Sequence, residues 1–150
     1  MLVEAQVTIN ASRAAIWAVM ADIANAAQTC GGIEKIEILE KPAQGIVGLK
    51  WRETRILFGK PASADKRITE AVEGEFYKTQ AEDGGFVFVS TMRLSDGPGG
   101  VTLTTLHDSL PQTFAARVMS IPMGLFFKGV ARKALMQDLN DIKAVAERKA

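Results

Sequence analysis

The alternation of apolar and polar residues over most of the chain predicts a succession of β-strands. In Leu2–Ile9, Val3, Ala5 and Val7 alternate with polar residues, as in a strand with one buried face. Turns rich in glycine and proline separate the later strands. We predict about seven strands, the other six running from residue 33 to a turn at 42–45 and over residues 47–58, 64–72, 76–81, 86–94 and 101–110.

Helical patterns interrupt this series once and then end it. A first helix begins at the capping sequence Asn10-Ala11-Ser12 and runs to about residue 27, with a break near Asp22. A second, amphipathic helix covers residues 122–149, with Pro122 as an early helical residue, Ser120 as a cap and residues 113–121 leading into it. We expect it to lie across the sheet and to leave a hollow beneath it. Its apolar stripe recurs at steps of three and four residues and comprises Phe127, Ala131, Leu135, Leu139, Ile142 and Ala146.

Composition narrows the class of protein. A length of 150 residues fits a single domain over residues 1–150 with its own core. Lysine and arginine total 18 against 17 acidic residues, so the overall charge gives no reason to expect binding to nucleic acid or to an anionic membrane. Cys30 is the lone cysteine, and the chain shows neither a signal peptide pattern nor an apolar run long enough to span a bilayer. We therefore expect a soluble, cytoplasmic protein with no integral membrane segment, and a homodimer stays open.

Several short motifs follow one another in a set order along the whole chain. Ala11-Ser12, Ile16-Trp17 and Asp22 come after the first strand. The sequence Gly-Leu-Lys-Trp-Arg-Glu-Thr-Arg fills residues 48–55. The remaining motifs are Gly59, Ile68-Thr69-Glu70, the run from Gly99 to Thr104, and Gly124, Leu135 and Leu139. In this order the chain resembles the START-like (SRPBCC, or helix-grip) superfamily, specifically its polyketide cyclase/dehydrase-like branch of small bacterial proteins.

The resemblance implies an α+β helix-grip fold. In that fold a strongly curved antiparallel sheet of about seven strands, in the order β-α-α-β6-α, wraps around a long C-terminal helix. It also implies a cavity between sheet and helix that takes lipids, sterols, polyketides or other apolar molecules. The superfamily shares no common set of catalytic residues, so the resemblance assigns none. Relatives often have an aromatic residue and a proline where this chain has Gln28-Thr29-Cys30-Gly31-Gly32, and we expect the mouth of the pocket to differ there.

The strand at residues 47–58 offers the first polar candidates. Trp51, Glu53 and Arg55 share one of its faces, which we interpret as the face toward the cavity. A carboxylate and a guanidinium are costly to bury unless they pair or contact a ligand. The alternative is an ordinary ion pair on the outer face of the sheet.

Two further residues are candidates for acid-base chemistry. His107 is the only histidine and shares a strand face with apolar residues, so it could act as a general acid or base near neutral pH, or it could simply be a hydrogen-bonded wall residue. Tyr77, the only tyrosine, could donate its phenolic proton to a ligand carbonyl, although an aromatic residue on an edge strand is the plainer interpretation. Together with Glu53 they are the candidate catalytic residues.

The apolar candidates lie on one strand and at the start of the last helix. Phenylalanine and methionine suit an adaptable binding surface, because a thioether repacks easily around irregular shapes. An ordinary core is the alternative. We expect the ligand to enter along residues 119–130, where proline and glycine weaken the helix. The candidates for ligand contact are Phe86, Phe88, Met92, Met119, Met123 and Phe127.

The sequence gives little support for a metal or a cofactor. One histidine and one cysteine cannot supply the usual zinc ligands, and no glycine-rich loop joins a strand to a helix N-terminus as phosphate binding requires. We expect no cofactor and no metal. Cys30 has no basic neighbour in sequence and is expected to be an inert thiol.

Three functions are compatible with these patterns. The first is noncatalytic binding of a small hydrophobic or aromatic molecule, with Glu53, Arg55 and His107 orienting it. The second is a cyclase or dehydratase in which His107, Glu53 or Tyr77 moves protons in a water-poor pocket. The third is regulation of another protein, which a large exposed apolar patch outside the pocket would favour.

Overall fold

The computed structural model describes residues 1–149, except the side chains of residues 122–126. In this part of the chain seven strands form one antiparallel sheet in the order β1-β7-β6-β5-β4-β3-β2. The strands are β1 (Leu2–Ile9), β2 (Ile33–Glu40), β3 (Lys50–Leu57), β4 (Lys60–Val72), β5 (Phe76–Asp83), β6 (Phe86–Gly97) and β7 (Gly100–Pro111). The helices are α1 (Arg13–Met20), a 3-10 turn (Ile23–Asn25), α2 (Ala26–Thr29) and α3 (Phe114–Lys149). This is the predicted α+β helix-grip fold.

The register of the sheet shows which side chains share its inner face. His107 on β7 lies opposite Val3 on β1 and opposite Ser90 on β6. Ser90 in turn lies opposite Thr79 on β5, and Thr79 opposite Ile68 on β4. Directly opposite residues point to the same face. Because Val3 and Ile68 at the two ends of this row are almost fully buried, the row lies on the face covered by the helices.

The first helical region breaks where the sequence predicts. The hydroxyl of Ser12 caps α1 by accepting a hydrogen bond from the Ala15 amide at 3.1 Å. The helix ends at Met20, and the chain continues as a 3-10 turn after Asp22. Ile16 and Met20 point into the core, so α1 closes one end of the inner face.

The β3–β4 hairpin is tighter and longer than the sequence predicts. Phe58 and Gly59 both have positive φ, 52° and 79°, and together they form a two-residue turn. The pairing therefore continues to Leu57 opposite Lys60, so β4 begins at Lys60 rather than at residue 64. Phe58 is left projecting at the tip and is 78% exposed.

The last helix begins at Phe114, so the prediction that it begins at Pro122 is wrong. Thr113 provides the cap: its hydroxyl accepts from the Ala116 amide at 3.1 Å and its carbonyl from the Arg117 amide at 3.0 Å. Ser120 is not a cap, because its hydroxyl donates to the Arg117 carbonyl inside the helix. A helix of this length can include a proline despite a cost of about 3 kcal/mol.

The two halves of α3 have different surroundings. In the C-terminal half, Leu139, Ile142 and Ala146 are buried in the core beneath the helix. In the N-terminal half, Phe114 and Ile121 are 82% and 72% exposed. The contacts of the helix with the hydrophobic core are therefore made mainly by its C-terminal half. No helix in the described residues is long and apolar enough to cross a membrane.

Candidate functional site

An aromatic shelf lies on the inner face of β6 and β7. We define it as Phe86, Phe88 and His107. The ring centroids of Phe86 and Phe88 are 5.9 Å apart with planes at 19°, and those of Phe88 and His107 are also 5.9 Å apart, at 14°. The three side chains are only half-buried, whereas Leu94 and Leu103 on the same face are fully buried. The shelf is thus an open, apolar part of the inner face.

His107 lies at one end of this shelf and is held there by a hydroxyl. Its Nδ1 lies 2.8 Å from Ser90 Oγ, and the tautomer of the ring decides which of the two atoms donates. Burial, and next the positive charge of Lys66, hold the pKa of His107 below its usual value. A neutral imidazole at physiological pH can donate from one nitrogen and accept at the other.

A charged cluster borders the shelf, consisting of Glu53, Arg55, Lys66 and Asp138. Glu53 Oε2 accepts from Arg55 Nε at 2.7 Å and from Lys66 Nζ at 2.9 Å. Arg55 Nη2 donates to Asp138 Oδ2 at 2.7 Å, and Nη1 to Oδ1 at 3.3 Å. This bidentate contact joins β3 to α3. The Glu53–Arg55 pair therefore lies on the inner face and not on the outer one.

Pairing keeps the cluster ionised despite its burial. Burial alone would raise the pKa of Glu53, but the Lys66 ammonium and the Arg55 guanidinium lower it to about 2. Burial would likewise lower the pKa of Arg55, and its hydrogen bonds to Asp138 and its pairing with Glu53 raise it. No fully buried side-chain nitrogen or oxygen in the described residues lacks a hydrogen-bond partner. The cluster carries two positive and two negative charges and is neutral overall.

The shelf and the charged cluster face each other across one strand. Lys66 lies opposite Ala81 on β5, and Ala81 lies opposite Phe88 on β6. Two strand spacings, about 10 Å, separate Lys66 from Phe88. The residue between them is an alanine, and its small side chain leaves space between the charged cluster and the shelf.

Trp51 and Met92 occupy deeper positions on the same face. Trp51 is buried in the hydrophobic core, and its indole Nε1 lies 3.4 Å from Glu53 Oε1. Met92 is half-buried and packs against that core. Both lie next to the site, with Trp51 beneath the charged cluster and Met92 one position beyond Ser90 on the same face of β6.

Tyr77 is separated from the other two catalytic candidates. Its hydroxyl donates to the Met20 carbonyl at 2.9 Å, and its ring meets Trp17 edge-on at 6.0 Å. Burial raises the pKa of Tyr77, so the phenol stays protonated. The interpretation of Tyr77 as an edge-strand residue is wrong, because β5 lies in the middle of the sheet. Its hydroxyl is occupied in holding α1 in place.

The ligand-contact candidates on α3 differ from one another in their exposure. Met119 is 57% exposed, and Phe127 is half-buried with its ring 5.9 Å from that of Phe58 at the β3–β4 turn. Met123 falls among the side chains that the structure does not describe. The helix therefore meets the β3–β4 hairpin through an aromatic contact.

Sequence reasoning missed Lys66 and Asp138 as members of the site. Lys66 alternates with Ile68 on β4, which is a signal for the inner face. Asp138 adjoins Leu139 of the apolar stripe, but its partner Arg55 is 83 residues away, and no local pattern connects the two. Cys30 lies beside this cluster. Burial, then the Asp138 charge, raise the pKa of its thiol to about 12, consistent with the predicted inert thiol.

Two surface cavities were found, and the first includes Lys66 and Ala81 in its lining. They measure about 200 Å³, over β4 and β5, and about 470 Å³, between β1 and α3. Neither is lined by Phe88, Met92 or His107. Among the described residues no group of three histidine, cysteine or acidic side chains could hold a metal ion.

Comparison with known proteins identifies a family. A family model described as polyketide cyclase/dehydrase and lipid transport matches residues 2–147. No curated protein matches the sequence significantly. A protein from Thermus thermophilus has a similar structure, with a TM-score of 0.81 at 11% identity, covering 100% of this chain and 99% of that one.

Two further solved structures have a similar fold. A START superfamily protein from Mycobacterium smegmatis is similar with a TM-score of 0.80 at 17% identity, covering 99% of both chains. The Zhui aromatase/cyclase from a Streptomyces species is similar with a TM-score of 0.75 at 20% identity, covering 99% of this chain and 94% of that one. At these identities the comparisons show a common fold.

The pairing of Glu53 predicts a defined loss of stability in acid. Its pKa falls from the usual 4.5 to about 2 on folding, so its stabilisation is complete above pH 4.5 and is lost as the pH falls through about 2. Glu53→Gln should lower the free energy of unfolding at pH 7 by about 3 kcal/mol. Urea unfolding at a series of pH values should show this difference shrinking between pH 4.5 and about 2.

The matched control is Glu70→Gln on β4. The carboxylate of Glu70 is exposed, and it pairs with Lys78 at the surface at a distance of 3.6 Å. That substitution should change the free energy of unfolding by less than about 1 kcal/mol throughout the same series of pH values. Equal effects of the two substitutions would contradict the role given to the charged cluster.

The pKa of His107 should depend on the charge of Lys66. Since the ammonium lowers the pKa of the imidazole, Lys66→Met should raise that pKa toward 6.5. Proton NMR of the single histidine ring measures it directly. Lys78→Met, on the outer face of β5, should leave the titration unchanged. If Lys66→Met also leaves it unchanged, the two groups do not share the inner face.

Proposed function

The chain belongs to the polyketide cyclase/dehydrase and lipid transport family, and on that premise we propose that it binds a small apolar or aromatic molecule on the aromatic shelf. The observation that carries the proposal is the half-burial of Phe86, Phe88 and His107 on the inner face of the sheet, whereas Leu94 and Leu103 further along the same strands are buried. An apolar concave surface with a few convergent polar groups is the usual form of a small-molecule site.

The aromatic rings favour a flat ligand. Phe86, Phe88 and His107 stack on one another with planes within 19° of their neighbours, so a planar ring system can extend this stack. Met92, beside them, can adjust its unbranched side chain to an irregular outline. Two structural relatives are named as a START superfamily protein and an aromatase/cyclase, which is compatible with such a ligand.

The polar groups favour a ligand with a carbonyl or hydroxyl oxygen. Lys66 makes a 2.9 Å hydrogen bond to Glu53, and an ammonium has two further protons to donate. The charged cluster is neutral overall, so it gives no reason to expect a strongly charged ligand. We place the apolar body on the shelf and an oxygen of the ligand toward Lys66 and His107.

Blocking the shelf should abolish binding. Ser90→Trp puts a large ring on the inner face next to His107, and we expect the Kd for the fluorescent probe 1-anilinonaphthalene-8-sulfonate to rise at least about tenfold. Thr91→Trp is the matched control, since the neighbouring position points to the outer face. Thermal unfolding checks that both variants are folded. Equal binding by wild type and Ser90→Trp would place the probe elsewhere and defeat the proposal.

A second candidate function is proton transfer on a carbonyl substrate. The observation that favours it is the 2.8 Å contact between Ser90 Oγ and His107 Nδ1, which orients an imidazole that burial keeps neutral. Glu53 is a poor partner as an acid, because with a pKa of about 2 it remains a carboxylate. His107 would then be the base that removes a proton next to a carbonyl, and Lys66 would stabilise the resulting enolate.

Deuterium exchange distinguishes catalysis from binding alone. In D₂O, the protein should speed exchange at the carbon between the two carbonyls of 1-phenylbutane-1,3-dione, as followed by NMR. His107→Gln should reduce this rate at least about a hundredfold. Exchange no faster than in buffer, or retained in His107→Gln, would leave noncatalytic binding as the function.

A further inference from the structure

The first strand has one edge that pairs with no other strand of the sheet. β1 lies at the end of the strand order and pairs only with β7. The Met1 nitrogen donates to the Ser109 carbonyl at 2.8 Å, and the Ser109 amide donates to the Met1 carbonyl at 2.9 Å. In an antiparallel pair, residues that exchange both bonds recur at every second position. The backbone groups that point away from the sheet are therefore those of Leu2, Glu4, Gln6 and Thr8.

The last helix covers one end of this edge and leaves the other end free. Lys143 Nζ donates to the Thr8 carbonyl at 2.9 Å, and Glu147 Oε2 accepts from the Asn10 amide at 2.8 Å. Among the described residues no side chain makes such a contact with the edge over residues 2–6. Unpaired amide and carbonyl groups on an edge strand are a template for a further strand.

A cavity of about 470 Å³ lies along the free part of the edge. Ala5 is buried on the inner face, so the cavity continues around the edge to the side on which α3 lies. Glu4 is exposed on the outer face, because its side chain alternates with that of Ala5. The residues that line the cavity are Leu2, Glu4, Ala5, Gln6, Lys128 and Arg132.

The two cations in this cavity have a spacing that suits a strand. Lys128 and Arg132 lie beside residues 2–6, and Lys143 lies beside Thr8, so α3 and β1 run side by side in the same direction. Four residues of a helix span about 6 Å, and two residues of a strand span about 7 Å. Cations four residues apart on α3 therefore match side chains two residues apart on a strand added to β1.

We infer that the free edge of β1 binds an extended peptide segment of another protein, with acidic side chains two residues apart. In antiparallel pairing, the residues of that segment opposite Val3 and Ala5 point to the side of α3. They meet Lys128 and Arg132 there, and neither cation forms an ion pair among the described residues. Backbone hydrogen bonds supply affinity, and the two carboxylates supply specificity.

A second copy of the chain fits the same edge less well. Antiparallel pairing that uses all three free positions, 2, 4 and 6, places the two copies of Glu4 directly opposite each other, and like charges in that arrangement are destabilising. It also places Val3 opposite Ala5, so neither copy brings a carboxylate to the cations of the other. The edge therefore favours an acidic segment over self-association.

A labelled peptide tests this inference with the intact chain. We expect the peptide Val-Thr-Glu-Thr-Glu-Val-Thr to bind saturably in fluorescence anisotropy. Replacing both of its glutamates by glutamine should raise the Kd about fivefold, the effect of two exposed ion pairs. Hydrogen-exchange NMR should show that the peptide slows exchange of the amides of Leu2, Glu4 and Gln6, which a contact through side chains alone would not do.

Two substitutions separate the backbone contacts from the charges. Glu4→Pro removes an amide proton that points away from the sheet, so it should leave the fold intact and raise the Kd at least about tenfold. Glu4→Ala, which keeps that amide, is its matched control and should bind at least as tightly as the wild type. Lys128→Gln/Arg132→Gln should raise the Kd about fivefold. Its control is Arg117→Gln/Lys133→Gln, which removes two exposed cations of α3 outside the cavity and should bind like the wild type.

Thermal unfolding checks that each variant is folded, and if Glu4→Pro is not, the cation variants and the amide exchange decide. The inference is overturned if the peptide does not bind, if its glutamine version binds equally, or if folded Glu4→Pro binds like the wild type. Unchanged exchange at the three amides would overturn it as well. A dimer in sedimentation analysis that Glu4→Pro abolishes would assign the edge to a second copy instead.

Discussion

The ion pair between Arg55 and Asp138 is the contact on which the geometry of the site depends. It joins β3, near the C-terminal end of that strand, to the C-terminal half of α3 with two hydrogen bonds, at 2.7 and 3.3 Å. Two more polar contacts, from Asp141 to the Gly31 amide and from Lys143 to the Thr8 carbonyl, hold the same half of the helix on opposite sides. The first half of α3 packs on the β5–β6 turn through Ala116, while Phe114 and Ile121 remain exposed to solvent.

This anchoring coincides with the difference in burial along the inner face. The aromatic shelf is half-buried, whereas the core residues beneath the C-terminal half of α3 are fully enclosed. The charged cluster has a double role, since Arg55 fixes the helix through Asp138 and also keeps Glu53 ionised beside Lys66. The same few residues therefore anchor the helix and, in the function that we propose, orient the ligand.

The sequence predicts the fold well and the site only in part. Alternation over short segments identifies the strands, and the inner position of Glu53, Arg55 and His107 follows from the same pattern. The predicted start of α3 is wrong because Thr113, rather than Ser120, supplies the cap. Lys66 and Asp138 were missed, and Tyr77 was placed on an edge strand, because these positions depend on pairing between distant segments. Local patterns determine which face a side chain takes, but not which side chains meet.

The most direct test of this account is a map of contacts between protein and bound ligand. Isotope-filtered NMR on protein labelled at the methionine methyl groups would record which methionine lies near the protons of a bound aromatic probe. Contacts from the probe to Met92, which lies next to the shelf and packs on the core, are the predicted result. Contacts confined to Met119 on the exposed side of α3, with none to Met92, would place the ligand outside the inner face and contradict the account.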